Sequence, residues 1–130
     1  MTLFDNMLIN YFINLAIPLA LTLIIEFIPI VIFLRISPTY FAAVNIFTNV
    51  IANTIVFILD ICSSYKLGFI GEMAVDRLKV IFVIEIFVVI SEIIFYYMYL
   101  GKKNLFKISL LTIIANVLSY FLGNYIISFI

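Results

Sequence analysis

The chain has 130 residues, 67% hydrophobic and 11% charged, with 7 Lys and Arg balanced by 7 Asp and Glu. A mean hydropathy of +1.35 lies far from a soluble domain, where about a quarter of residues carry charge, and marks an integral membrane protein. Zero net charge gives nucleic acid nothing to hold, the lack of histidine removes the commonest metal ligand and general base, and the lone Cys62 excludes an intrachain disulfide.

Residues 1–15 are apolar but interrupted by Asp5, and the opening MTLFDN is acidic, unlike the basic start of a signal peptide. Asn6, Asn10 and Asn14 recur every fourth position and form one polar stripe. That spacing predicts a short amphipathic helix at the interface, or the wet start of the first span. Pro18 stands where a helix can begin without losing a hydrogen bond. The first spanning helix is expected over 16–35, with Glu26 near its middle. Pro29 should kink it and free the carbonyl of Ile25. Arg35 ends the helix, and Ile36-Ser37-Pro38-Thr39 makes a turn.

A second span is expected over 40–60, where Ala42, Asn45, Asn49 and Ala52 or Asn53 fall at helical spacing. The polar stretch 61–79 is the one sizeable connection, too short for a domain. A third span, 80–100, rises about 31 Å, close to the hydrocarbon thickness of a bilayer. It contains Glu85 and Glu92 and no Lys or Arg. Seven residues apart, the two glutamates share a helix face. Tyr96, Tyr97 and Tyr99 near its end suit interfacial anchoring. After the turn Gly101-Lys102-Lys103-Asn104, a fourth span is expected over 106–126. There Ala115, Ser119 and Gly123 form a small-residue ladder of the kind that lets membrane helices approach closely.

Topology follows from the basic residues. Arg35, Lys102, Lys103 and Lys107 lie at the two short turns, against Lys66, Arg77 and Lys79 on the opposite side. The positive-inside rule then places both termini outside. So narrow a margin is also compatible with dual topology.

The two halves match at an offset of 66, which aligns Glu26 with Glu92, Phe33 with Tyr99 and Leu34 with Leu100. One more residue in the turn aligns Asn45 with Thr112 and Asn49 with Asn116. Each half reads as a hairpin with a mid-helix glutamate, a basic turn and a mid-helix amide. Two spans restore the side of the membrane, so the hairpins would be parallel copies. Chance similarity between apolar segments is the competing account, and the matching of the costly polar positions argues against it. Both Glu26 and Glu92 sit about nine residues from a helix end, roughly 13–14 Å, near the midplane.

Intramembrane carboxyls are costly and default to function. Glu26, Glu85 and Glu92, with the amides of Asn45, Asn49 and Asn116, are therefore the candidate ion- or ligand-binding residues. The alternative is that neutral acids hydrogen-bond to those amides and hold the bundle together. Glu85 and Glu92 lie about 10.5 Å apart by helical rise, too far to share one proton. Each needs its own partner, and Glu26, Asn49 and Asn116 are the neighbours expected near Glu92. No Ser-His or Cys-His pair and no zinc motif is present, so catalysis, a cofactor and a metal are not expected.

The combination Glu26-Pro29, Asn45-Asn49, Glu85-Glu92-Tyr96 and Ala115-Asn116-Ser119-Gly123 resembles small four-helix bacterial membrane proteins that carry no assigned activity. The abundance of Ile, Phe, Asn and Lys fits an AT-rich bacterial genome. The small multidrug resistance family also has four helices and a membrane glutamate in the first. This chain departs from it by two further glutamates, no tryptophan and a long central loop. The glycine-rich first-helix signature of the fluoride channel family is absent as well.

The expected fold is all-α: one transmembrane domain of four spanning helices, built as two parallel, duplicated hairpins after a short N-terminal amphipathic segment. The expected function is a small transporter, or a membrane subunit of one, handling a cation or proton-coupled solute at the cell membrane. The alternative is a structural or assembly subunit whose buried Glu and Asn residues only specify packing. Membrane lipid and a homodimer or larger membrane complex are the expected partners, since a pathway lined by three glutamates is easier to build between two protomers.

Overall fold

The structure is a computed structural model that describes residues 2–65 and 77–129. Most of the polar connection expected over 61–79 lies outside the described residues. Four long helices make up the fold: α1 Leu3–Phe27, α2 Pro38–Ser64, α3 Arg77–Tyr99 and α4 Leu105–Ile127. Asp5–Ile32, Pro38–Ser64 and Leu105–Ile127 are each long and apolar enough to cross a membrane.

The N-terminal segment takes the second of its two expected forms: it is not a separate interfacial helix but the first turns of α1, which runs unbroken from Leu3. Thr2 explains the early start, because it forms a capping box with Asp5. The Asp5 amide donates to Thr2 Oγ1 at 3.2 Å, and the Thr2 amide donates to Asp5 Oδ2 at 2.8 Å. Pro18 consequently lies inside the helix, not at its beginning. Pro29 is absorbed by a five-residue π-helical turn, Ile28–Ile32, at its N-terminal end. Such a turn re-pairs the backbone around a residue that has no amide to donate.

Both short turns use left-handed backbone. Arg35 has φ 57°, and Gly101, Lys102 and Asn104 have φ 68°, 62° and 58°. At the end of α3 the Lys102 amide donates to Tyr97 O and the Gly101 amide to Met98 O, a Schellman closure with glycine at the left-handed position. Pro38 opens α2 at the first helical position, where its missing amide costs nothing.

The helices form a closed ring. α1 and α3 each pack on α2 and α4, while among the described residues the backbones of the diagonal pairs stay more than 8 Å apart. Ring neighbours run antiparallel. Tyr11 reaches Thr54 at 2.9 Å, and Phe27 meets Phe41 edge-on at 6.1 Å, across α1 and α2. Tyr40 stacks on Tyr99 at 4.4 Å, and Phe47 meets Phe95 at 6.0 Å, across α2 and α3.

The main apolar cluster lies in the half of the ring nearest the two short turns. Ile30, Leu34, Ile36, Phe41, Val44, Tyr96, Ile108 and Ala115 form one cluster there. Among the described residues, no large apolar side chain is fully buried in the half that carries the termini. The outer surface is apolar instead, with Ile24, Phe82, Phe87 and Phe121 exposed while Glu26, Asn45, Thr48, Glu92 and Thr112 are buried. This inversion suits hydrocarbon surroundings, not water.

A Cβ at Gly101 would meet nothing within 4 Å. Gly101→Ala should therefore cost only its backbone strain, about 1 kcal/mol. Arg35→Gly relieves strain of the same kind. Melting temperatures in detergent should move down for the first and up for the second; a shift in the same direction contradicts the turn geometry.

Candidate functional site

Polar side chains at the middle of the helices form one hydrogen-bonded belt that crosses all four. Thr48 of α2 donates to Glu92 Oε1 at 3.1 Å, and Asn116 of α4 donates to Glu92 Oε2 at 2.7 Å. Ser119 of α4 donates to Glu26 Oε1 of α1 at 2.7 Å and lies 3.0 Å from the Asn116 carbonyl. The 3.6-residue period explains the sharing of α4: Asn116 and Ser119 are three apart, so one face serves two carboxyls.

The three glutamates fall into two classes. Glu92 is fully buried and has a donor on each oxygen. Glu26 is also fully buried, yet its Oε2 has no hydrogen-bond partner. Glu85 is exposed although it shares a face with Glu92, because it lies two turns away in the half that lacks an apolar core.

Glu26 and Glu85 meet at a cavity of about 190 Å³, also lined by Asn49, Asn53, Asn116 and Ser119. Asn53 is a wall of a second cavity too, of about 220 Å³, which reaches toward the helix ends past Asn14, Asn10 and Asp60. Among the described residues, no Lys or Arg lines either one. The arrangement of those residues therefore presents carboxyl oxygen and amide groups, with no Lys or Arg, to the two cavities. Chemically it can accept hydrogen bonds from a solute, or face a cation, with Glu26 Oε2 as the one fully buried acceptor lining it that is left unpaired.

The amides divide in the same way. Asn116 joins Glu92 as expected, whereas Asn49 donates to its own helix at Asn45 O, 2.9 Å away, and lines the cavity without touching Glu92. Asn45 is not at the cavity. It is fully buried in the packed half, where it donates to Tyr96 Oη at 3.0 Å. Tyr96 is thus no interfacial anchor but the largest side chain of the core, excluded from the surface by the ring closure. Asn45 Oδ1 and Thr112 Oγ1 are two further buried atoms without a partner.

Sequence reasoning passed over Thr48 and Ser119 as partners of the carboxyls. Helical spacing marks both, since Thr48 follows Asn45 by three residues and Ser119 follows Asn116 by three. Among the described residues no cluster of His, Cys, Asp and Glu could hold a metal ion. Comparison with protein-family models, curated proteins and solved structures finds no match in any of the three.

Glu92→Ala should cost about 2 kcal/mol, because it leaves Asn116 short of an acceptor and opens a void. Glu92→Gln keeps an oxygen for Asn116 and offers an amide to Thr48, so it should cost under about 1 kcal/mol. Thermal melting in detergent checks the order; equal losses would remove Glu92 from the belt.

Proposed function

We propose that this chain is a small membrane transporter, or the membrane subunit of one, handling a cation or a proton-coupled solute at Glu26 and Glu85. The observation that carries the reading is the polar cavity between those two carboxyls, continued by the Asn10, Asn14 and Asp60 cavity toward one end of the bundle. A packing role alone would satisfy both oxygens of each carboxyl, as those of Glu92 are satisfied. Glu92 takes that structural role, and in the proposal it braces the ring beside the site.

The mechanism uses charge compensation. A cation beside Glu26 and Glu85 answers their charge, and a proton does so when the cation leaves. The apolar cluster from Ile30 to Ile108 closes the turn end and blocks a continuous pore. In this reading the molecule is open on one side only, as alternating access requires. All four helices span, α3 included, since its 80–100 segment matches the bilayer thickness. Arg35, Lys102, Lys103 and Lys107 at the turns put that end inside the cell membrane and the cavity mouth outside.

Burial supports the reading of two parallel, duplicated hairpins. Phe41, Asn45, Thr48 and Ala52 are buried in α2, and so are Ile108, Thr112, Ala115 and Ser119 in α4, each 67 positions later. Glu26 and Ile30 stand 66 positions before Glu92 and Tyr96, and all four are fully buried. Arg35 and Gly101, again 66 apart, are both left-handed.

Purified protein in liposomes tests the function. Cation-driven proton movement should fall at least about tenfold, over 1.4 kcal/mol, in Glu26→Gln and Glu85→Gln, while Glu92→Gln keeps most of it. Flux unchanged in both cavity variants contradicts the proposal.

A further inference from the structure

A third cavity opens the site sideways. Leu78, Ile81, Phe82, Val117, Tyr120 and Phe121 form a groove of about 340 Å³ between α3 and α4, and its inner end is Glu85 and Asn116. Glu85, Asn116 and Tyr120 are walls of the Glu26 cavity as well, so the apolar groove and the polar cavity meet at three residues. Phe82 and Phe121 are 67% exposed on the outer surface. The groove therefore faces the hydrocarbon that surrounds the bundle.

We infer that the site takes a single-chain amphiphile with an ammonium head, which enters laterally from the bilayer between α3 and α4. This inference rests on the site reading above and names its substrate class. Charge decides the head. Glu85 stands at the junction, Glu26 Oε2 is buried and unpaired beyond it, and among the described residues no Lys or Arg lines either cavity. An anionic head would face the Glu26 and Glu85 carboxyls there with no cation among the lining residues to answer it, at a prohibitive desolvation cost. An ammonium group finds an acceptor that no protein donor satisfies.

Shape decides the tail. The groove lies within the size range of small-molecule sites, about 300–1,000 Å³, and its walls apart from Glu85 and Asn116 are mainly aliphatic and aromatic. An alkyl chain lying there leaves one apolar environment for another, so it gains close packing against Phe82 and Phe121 more than release from water. A head without a tail reaches the carboxyls equally well from the polar mouth but leaves the groove to lipid. Head and tail together use both cavities, with Glu85 at the point where polarity changes.

Binding of radiolabelled alkyltrimethylammonium ions to the full chain in phosphatidylcholine nanodiscs, corrected for empty discs, tests the inference. Dodecyltrimethylammonium should bind at least about tenfold tighter than ethyltrimethylammonium, a difference of 1.4 kcal/mol. Glu26→Gln and Glu85→Gln should each weaken both by a similar factor. Val117→Trp fills the groove at an exposed position that carries no polar group of the site and lies outside the packed core. It should weaken the dodecyl ion and spare the ethyl ion. Equal binding of dodecyl sulfate, or a dodecyl affinity untouched by Val117→Trp, overturns the inference. If both ions bind alike and both lose affinity in the Gln variants, the tail site falls while the cation site stands. If neither Gln variant changes any affinity, both readings fall together.

Discussion

The belt from Thr48 through Glu92, Asn116 and Ser119 to Glu26 is the interaction on which the rest depends. Helix association in a membrane gains little from the hydrophobic effect, because lipid tails are as apolar as leucine. Specific polar contacts and close packing must hold the ring. Here Glu92 collects donors from the helices on either side and Glu26 takes one from α4, which links α2, α3, α4 and α1 in one register. Each such bond is worth only about 0.6–2 kcal/mol. Their value lies in direction: a carboxyl left without donors at that depth would cost more than any one bond returns.

The belt also divides the molecule. On the turn side, Tyr96, Phe41 and Ile30 fill the interior, and Tyr40 ties α2 to the Phe95 carbonyl at 2.9 Å. On the terminal side the interior is lined by amides and carboxyls around cavities. Close-packed interiors resist displacement, whereas a half without a buried core has few contacts to lose. The π-helical turn begins two residues after Glu26 and is followed by the core residues Leu34 and Ile36. It therefore joins the polar half of the first segment to its packed half. The bundle is therefore asymmetric, packed toward the turns and hollow toward the termini.

Much of the fold was legible in the sequence, because apolar runs of spanning length and two left-handed or proline-marked turns are local signals. The share of α4 in the site was legible too, since Thr112, Ala115, Asn116, Ser119 and Gly123 fall on one helical face. Other features depend on depth and on neighbours, which periodicity does not encode. Glu85 and Glu92 are equivalent by spacing, yet one is exposed and the other enclosed, because only the turn half of the ring is packed. Tyr96 resembles Tyr97 and Tyr99 as an aromatic near a helix end, and only the position of α2 turns it inward to Asn45. The start of α1 was misplaced at Pro18 because the Thr2–Asp5 cap outweighed the helix-start preference of proline.

The central claim is that water reaches the carboxyl cavity from the end of the bundle that carries the termini, and from that end alone. Single cysteines in a Cys62→Ser background test it directly, using a charged, membrane-impermeant thiol reagent on sealed vesicles of known orientation. Thr22 and Asn53 line the cavity, and Thr112 lies fully buried in the packed half. Thr22→Cys and Asn53→Cys should react rapidly when the reagent is on the terminal side, and Thr112→Cys should stay protected from both sides. Protection of Thr22→Cys and Asn53→Cys to the same degree as Thr112→Cys would contradict the account.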